Sequence, residues 1–493
     1  MIGALAVTSV AAIAAPGDID ISNQALDSSN SSTGFMSTQT FDPLRTVPPM
    51  LSNGIILPGD AAPLPCPNAS IHPDVEGNPK PLGLIDAIDI ALCTNPQLKS
   101  SWAAIKVQAA ALGEAKAAYL PTASAELSHV DDRTTYPGAG LPVQTLRDDE
   151  KTLGLNWRLF DFGSRAANKQ VATDLLGAAM ASHDAAIQKV LETVIGAYFD
   201  AQTAQATWDA RIKSEQVAAH TLAIIQRRQD HGAASQADTL QAATALARAS
   251  LDKSRAAGDL QKALSVLVYC LGRPAGTQLT LAPDLADDNT QSRRELSEWL
   301  AQAQQQHPAI LAARAQLDAA RNKVKATQSD GLPTVDFSAN YYQNGRPNLG
   351  LPTMHTNETV LAVTLTIPLF EGFGRTYKVR GALAQVEQKS ADLADIEHQI
   401  LMDVVKTHAD AVSALGNLDA SKLLLQTAQS ATESVQRKLD RGVADVLEML
   451  NVQAALTDAQ LQRIRCLAEW QSARLRLMAV AGTLGRESLG ISH

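Results

Sequence analysis

The stretch WRLFDFGSR, Trp157 to Arg165, returns in a near copy as IPLFEGFGR, Ile367 to Arg375. Each closes a run of alternating apolar residues and opens a long Ala-rich one. In the first run Leu153, Leu155, Trp157 and Leu159 fall on one face of a strand; in the second Leu361, Val363, Leu365, Ile367 and Leu369 do. A further segment, TVDFSANYY, sets Val335, Phe337, Ala339 and Tyr341 against Asp336, Ser338, Asn340 and Tyr342, a strict period of two. A strand with one apolar and one polar face suits a barrel wall between lipid and water, and these runs approach the ~9–11 residues of a tilted crossing. Phe160, Asp161 and Gly163, with Phe370, Glu371 and Gly374 in the copy, are then the hinge from strand to helix. The phenylalanines finish the apolar face, the acids meet water and the glycines free the backbone to bend. A soluble β-hairpin packed on helices is the competing reading, since it too buries one apolar face.

The copying extends well beyond the hinge. NPQL at Asn95 matches HPAI at His307 and YLPT at Tyr119 matches GLPT at Gly331, both 212 residues apart. Phe160 matches Phe370 and HGAASQAD at His231 matches RGVADVLE at Arg441, both 210 apart. Landmarks kept in this order mark a tandem duplication. The chain is expected to divide into a signal peptide at 1–15, an extended Pro- and Ser-rich leader at 16–81, a first repeat at 82–274, a linker at 275–292, a second repeat at 293–485 and a tail at 486–493. Each repeat reads as a first helix of about thirty-five residues, stopped by Pro121 or Pro333, and then two strands. The strands are joined by a loop, TTYPGAGLPVQTLRDD in one repeat and GRPNLGLPTMHTN in the other. A helix from about Ser164 to Asp230 follows, at ~1.5 Å per residue approaching 100 Å, and a turn at HGAAS leads into another long helix. Four strands cannot close a barrel, and an open edge is not tolerated in hydrocarbon. Two chains would give a barrel of eight, filled by its own side chains, so a pore favours three chains or more.

Composition agrees with long helices rather than a large globular core, for aromatic residues make up only 4% of the 493. A net charge of -9 without a basic stripe excludes a nucleic-acid partner. The start, MIGALAVTSVAAIAAPGDID, has the apolar run and small-residue end of a secretory signal but lacks its basic region. The cysteines at 66, 93, 270 and 466 form no metal-binding cluster. Cys66 and Cys93 flank a Pro-rich stretch that a disulfide can pin, whereas Cys270 and Cys466 lie in helical patterns as free thiols. The motifs of hydrolases, metalloproteases and P-loop proteins are absent and the histidines are scattered singly, so neither an enzyme nor a metal or other cofactor is expected. A soluble coiled-coil scaffold is the competing class; the paired amphipathic strands in both halves count against it.

The duplicated plan, the NP and LPT landmarks, LFDFG and RGVADVLEMLNVQAAL together resemble the TolC family of outer-membrane efflux and secretion factors, from about Leu82 to Gly485. Within it, the Cys66 leader and LIDAIDIALCTNPQL look closest to the CyaE-like branch that serves type I secretion of toxins. The resemblance implies a mainly α protein with a membrane β-barrel: a homotrimer whose twelve-stranded barrel, four strands per chain, continues into an α-helical coiled-coil tunnel across the periplasm. It implies a periplasmic adaptor and an inner-membrane ABC transporter as partners, outer-membrane lipid around the barrel, and passive export of a polypeptide. The alternative within the family is a small-molecule efflux pump. Lipid-anchored efflux partners carry their first cysteine directly after the signal; here it is Cys66. By alignment Asp238, Glu448 and Asn451 stand at the periplasmic constriction, and Arg228, Gly232, Arg441 and Gly442 at the helix turns that dock the adaptor. Leu439 and Ala444 replace the family's gating Tyr and Arg, so the latch must be built differently. Solvated helix-face charges are the plainer account of Asp238 and Glu448.

Overall fold

The computed structural model describes Leu44 and residues 81–135, 137–138, 143–282, 294–343, 356–441, 443 and 445–484. The expected signal peptide, nearly all of the expected leader, Cys66, Gly442 and Ala444 lie outside the described residues. Each repeat contributes the same series of elements. The first gives α1 (Leu84–Thr94), α2 (Pro96–Ala117), β1 (Thr122–Thr134), β2 (Gln144–Phe160), α3 (Ser164–Asp230) and α4 (Gln236–Cys270). The second gives α5 (Leu296–Gln306), α6 (Pro308–Ser329), β3 (Thr334–Gln343), β4 (Asn357–Thr366), α7 (Gly374–Asp440) and α8 (Val446–Val480). Helix lengths of 11, 22, 67 and 35 residues recur unchanged, which makes the duplication structural as well as textual.

The expected first helix of about thirty-five residues is in fact two. Asn95 is extended (φ -60°, ψ 124°) because Pro96 disfavours a helical residue before it. The Asn95 carboxamide then caps α2, its oxygen accepting the Gln97 N–H at 2.8 Å. His307 and Pro308 repeat the break, with His307 Nδ1 accepting from the Ala309 N–H at 3.2 Å. Both breaks sit against glycines that end other helices in the left-handed region, Gly272 (φ +66°) after α4 and Gly482 (φ +73°) after α8. A side chain on Gly272 would come within 2.9 Å of the Thr94 carbonyl. The NP landmark is thus a knuckle seated on a helix end.

Around these knuckles lies the main core. Ile88, Ala91 and Leu92 of α1 pack on Leu191, Val194, Ile195 and Tyr198 of α3, on Leu267 and Leu271 at the end of α4, and on Leu475 of α8. Each fully buried Leu or Ile there contributes about 1.5–3 kcal/mol. In the second repeat Trp299 and Ala303 of α5 pack on Val404 and Ala411 of α7 and on Leu477 and Ala481. Leu82 pairs with the linker, accepting the Ala282 N–H at 3.0 Å and donating to Thr280 O at 2.7 Å. Cys93 near the end of α1 is held in a disulfide, while Cys270 and Cys466 are free thiols.

The strands form one antiparallel sheet in the order β1-β2-β3-β4, leaving β1 and β4 as open edges. Two strand boundaries differ from the sequence reading. β4 ends at Thr366 rather than running to Phe370, since Pro368 has no N–H to pair. Part of the loop expected in the first repeat is strand, Gln144 to Asp149 pairing with Thr134 back to His129. Leu146 is the one apolar residue of QTLRDD, 144–149, so the segment carries no alternation to read. Beyond Leu127 and Lys151, where β3 stops, β1 and β2 continue as a ribbon of about 20 Å. On its exposed surface His129 Nδ1 is hydrogen-bonded to Asp149 at 2.8 Å and Arg147 pairs with Asp131 at 3.0 Å.

Candidate functional site

The wall comes first. Strand register aligns Ala123, Leu155, Ala339 and Leu361 in one row, and Val335 and Phe337 lie opposite Leu365 and Val363. Leu361, Val363 and Leu365 are 69%, 66% and 59% exposed, so this chain does not cover the apolar face it presents. The next row, Thr122, Asn156, Ser338 and Ala362, faces the other way with Ser124, Gly154 and Asn340 beside it. At Gly154 an added Cβ would lie 3.0 Å from Asn340 Oδ1, so the polar face is closely filled. Arg158 and Asp336 stand opposite each other there and pair at 2.8 Å, joining the repeats. Among the described residues no helix is long and apolar enough to cross a membrane. The sheet is the surface with the pattern to do so.

The hinge works differently from the sequence expectation in two respects. Asp161 does not meet water: it is 7% exposed and pairs with Arg165 at 2.8 Å. Its carboxylate also accepts the N–H groups of Gly163 and Arg165, satisfying donors that the start of α3 leaves open. Glu371, its counterpart, is exposed as expected. Nor does Gly374 supply the bend. Two successive left-handed residues turn the chain in each repeat, Phe162 (φ +49°) with Gly163 (φ +91°), and Gly372 (φ +60°) with Phe373 (φ +65°). Gly374 is already the first residue of α7. The order of glycine and phenylalanine is reversed between the copies while the backbone is kept. Phe160 packs edge-on to Phe162 at 4.8 Å and Phe370 to Phe373 at 5.5 Å.

At the far end of the long helices, two hairpins meet. Gly232 (φ +74°) ends α3, its N–H donating to Gln229 O while that of Ala233 donates to Arg228 O. Asp238 then closes a capping box on α4. It accepts from the Ser235 N–H at 2.9 Å and hydroxyl at 2.8 Å, and its own N–H donates to Ser235 Oγ at 3.1 Å. Those Ser235 hydrogen bonds, with a smaller contribution from Arg228, hold the Asp238 carboxyl below the usual carboxylate range. In the other hairpin Arg441 and Asn451 are exposed, and Glu448, in the first turn of α8, lies 3.8 Å from Lys438 Nζ. Leu439, standing where a latch tyrosine was expected, is buried against Val435 and Met449 inside the α7–α8 hairpin. The hairpins are joined by Ile225, Ala242 and Val446, and by Thr221, which accepts from Gln453 Nε2 at 3.1 Å. Sequence reasoning missed the Thr221–Gln453 and Arg158–Asp336 links, whose partners stand 232 and 178 residues apart.

This geometry has known counterparts. A family model described as outer membrane efflux protein matches residues 87–273 and again 299–483, once per repeat. The chain belongs to the outer membrane efflux protein family. Protein CyaE of Bordetella pertussis is 34% identical over 434 residues, spanning 87% of this chain and 90% of that one. The alkaline protease secretion protein AprF of Pseudomonas aeruginosa is 25% identical over 423 residues, 83% and 86% of the two chains. The proteases secretion protein PrtF of Dickeya chrysanthemi is 22% identical over 426 residues, 84% and 91%. Among solved structures, the Campylobacter jejuni CmeC outer membrane channel superposes with a TM-score of 0.72 at 16% identity, over 82% of this chain and 86% of that one. Members of the family are outer-membrane channels with a helical tunnel, which is the architecture of two strand pairs and two 67-residue helices found here.

Proposed function

We propose that three copies of this chain form the outer-membrane channel-tunnel of a type I secretion system, a passive conduit that carries a polypeptide from an inner-membrane ABC transporter and its periplasmic adaptor to the outside. The observation that carries this is the four-stranded sheet, apolar and uncovered on one face and open at β1 and β4. Those edges cannot face hydrocarbon unpaired, and three sheets joined edge to edge close a twelve-stranded barrel wide enough to conduct. Below the barrel, the helices form the tunnel, whose tips hold Asp238, Glu448 and Asn451. Arg228, Gly232, Arg441 and Gly442, at the two turns, are the adaptor-docking points. Export of protein is favoured over small molecules by the likeness to CyaE, together with two relatives named for protease secretion, AprF and PrtF. The efflux reading keeps support from the family's own description and from the likeness to CmeC.

Deleting the gene in its native host tests the choice. Loss of one or more large polypeptides from the culture medium, with unchanged drug susceptibility, is the expected result. Increased drug susceptibility with an intact secretome would transfer the assignment to efflux. A chain recovered from the soluble fraction as a monomer would remove the barrel itself.

A further inference from the structure

Both hinges share a backbone and expose a phenylalanine pair, Phe160 with Phe162 and Phe370 with Phe373, but the helix turns beyond them differ. Counting 210 residues from one repeat to the other, Gly163, Ala167 and Gln170 become Phe373, Tyr377 and Arg380. In the second repeat Phe373 is the residue before α7, and Tyr377 and Arg380 stand three apart on neighbouring turns of the helix. Phe373 and Tyr377 are 66% and 68% exposed, Phe370 packs edge-on to Phe373, and the Arg380 guanidinium lies 5.6 Å from the centre of the Tyr377 ring. Phe373 also holds a left-handed backbone (φ +65°) at the position where the first repeat uses glycine. Each hinge places one phenylalanine in the left-handed region, Phe162 in the first and Phe373 in the second, so what the second repeat adds is Tyr377 and Arg380 beyond the phenylalanine pair.

Charge adds an independent observation. Helix starts favour acids, yet α7, like α3, has none in its first turn; α7 has none before Glu387, while Arg375, Lys378 and Arg380 are basic. Arg375 is used internally, on the carbonyls of Gly331 and Gln328. Lys378 and Arg380 are exposed. From Ile367 and Leu369 through Phe370, Phe373 and Tyr377 to Arg380, the surface runs from aliphatic through aromatic to cationic, with the exposed acid Glu371 between the two phenylalanines. That sequence follows the depth profile of a bilayer interface, with rings at the headgroup level and cations at the phosphates.

We propose that Phe370, Phe373, Tyr377 and Arg380, with Lys378, form a phospholipid anchor at the periplasmic rim of the barrel. The rings occupy the interfacial layer and the two cations hold the phosphate of an anionic phospholipid. The anchor rests on the membrane reading above; continuity with the apolar face of β4 and the excess of positive charge favour lipid over a second copy of the chain as the occupant.

The test places Tyr377→Trp in the full-length protein, reconstituted in phosphatidylcholine vesicles containing a minority of either brominated phosphatidylglycerol or brominated phosphatidylcholine. Fluorescence is read as the difference from the unsubstituted protein under the same conditions. Expected are quenching at this position, at least twofold stronger with the anionic brominated lipid, and loss of that preference when Arg380→Gln is added. Phe373→Gly, which restores the first repeat's residue, should keep the assembly and weaken the quenching. A membrane-embedded trimer whose introduced indole is not quenched overturns the anchor and assigns the stripe to a contact between copies. Equal quenching by both lipids, unchanged by Arg380→Gln, overturns the phosphate site. Failure to enter membranes at all would instead count against the barrel.

Discussion

Arg375 fills the space that a side chain on Gly331 would need: a Cβ there would lie 2.5 Å from Arg375 Cδ and 2.5 Å from its Nε. The guanidinium uses that room to donate to Gly331 O at 2.9 Å and to the Gln328 carbonyl, satisfying the open end of α6. At the matching positions of the first repeat, Arg165 lies 4.9 Å from the centre of the Tyr119 ring and donates to Arg158 O at 2.7 Å and Leu159 O at 3.2 Å. Both arginines therefore brace the strand-to-helix junction, one beneath a ring and one in place of it.

Gly331→Ala should force Arg375 out of this position and strip both carbonyls of their donor, at a cost of about 1–3 kcal/mol. Thermal unfolding of the purified protein reads the loss. In a double-mutant cycle, Gly331→Ala added to Arg375→Ala should cost little more than Arg375→Ala alone. Full additivity of the two would show that the residues act separately.

The acids of the two hinges should differ sharply. Asp161 and Arg165 have side chains only 9% and 13% exposed, and removing Asp161 leaves the largely buried guanidinium without its counter-charge. Asp161→Ala is expected to cost about 3 kcal/mol, whereas Glu371→Ala, at an exposed position, should stay within about 0.5 kcal/mol. Limited proteolysis at the junction, alongside thermal unfolding, checks both. Equal effects would mean that the buried pair contributes nothing beyond an exposed acid.

The fold was legible where physics repeats along the chain. Alternation at Leu153–Leu159 and Val335–Tyr341 gave the strands, and a constant offset gave the duplication. What escaped has local causes. Pro96 reads as compatible with a helix, since proline fits the first turn; that the turn belongs to a new helix depends on Asn95 leaving the helical region. Asp161 looks like Glu371 in sequence, and only Arg165 folding back over it makes the difference. At the tip, Asp238 and Glu448 are brought near Ser235 and Lys438 of their own chain, while whatever they would meet on the proposed channel axis belongs to other copies.

The disulfide is open to a direct count. Cys93 is disulfide-bonded and Cys270 and Cys466 are not, which leaves Cys66 as the proposed partner. Alkylation of the unfolded chain should label two cysteines without reductant and all four after reduction, and a peptide joining the segments around Cys66 and Cys93 should appear in the unreduced digest. Since the bridge would close a loop of roughly thirty residues, Cys93→Ser should cost about 3 kcal/mol. Four labels without reductant would abolish the link.

Protons give the sharpest test of the constriction. The Asp238 carboxyl is depressed chiefly by the Ser235 N–H and hydroxyl, then by Arg228. A carboxyl depressed in the folded state adds stability that is complete above its unfolded value of about 3.9 and is lost as pH falls through the lower folded value. The capping box, and the negative charge it holds, should therefore persist unchanged from pH 7 to about pH 5. In planar bilayers, cation selectivity read from reversal potentials should stay flat over that range and weaken only below about pH 4. Asp238→Asn should lower it at neutral pH, and Ser235→Ala should move its loss to higher pH, because the hydroxyl no longer favours the ionised form. Selectivity that already titrates between pH 7 and 5, or that Asp238→Asn leaves untouched, would place the controlling charges elsewhere in the tunnel.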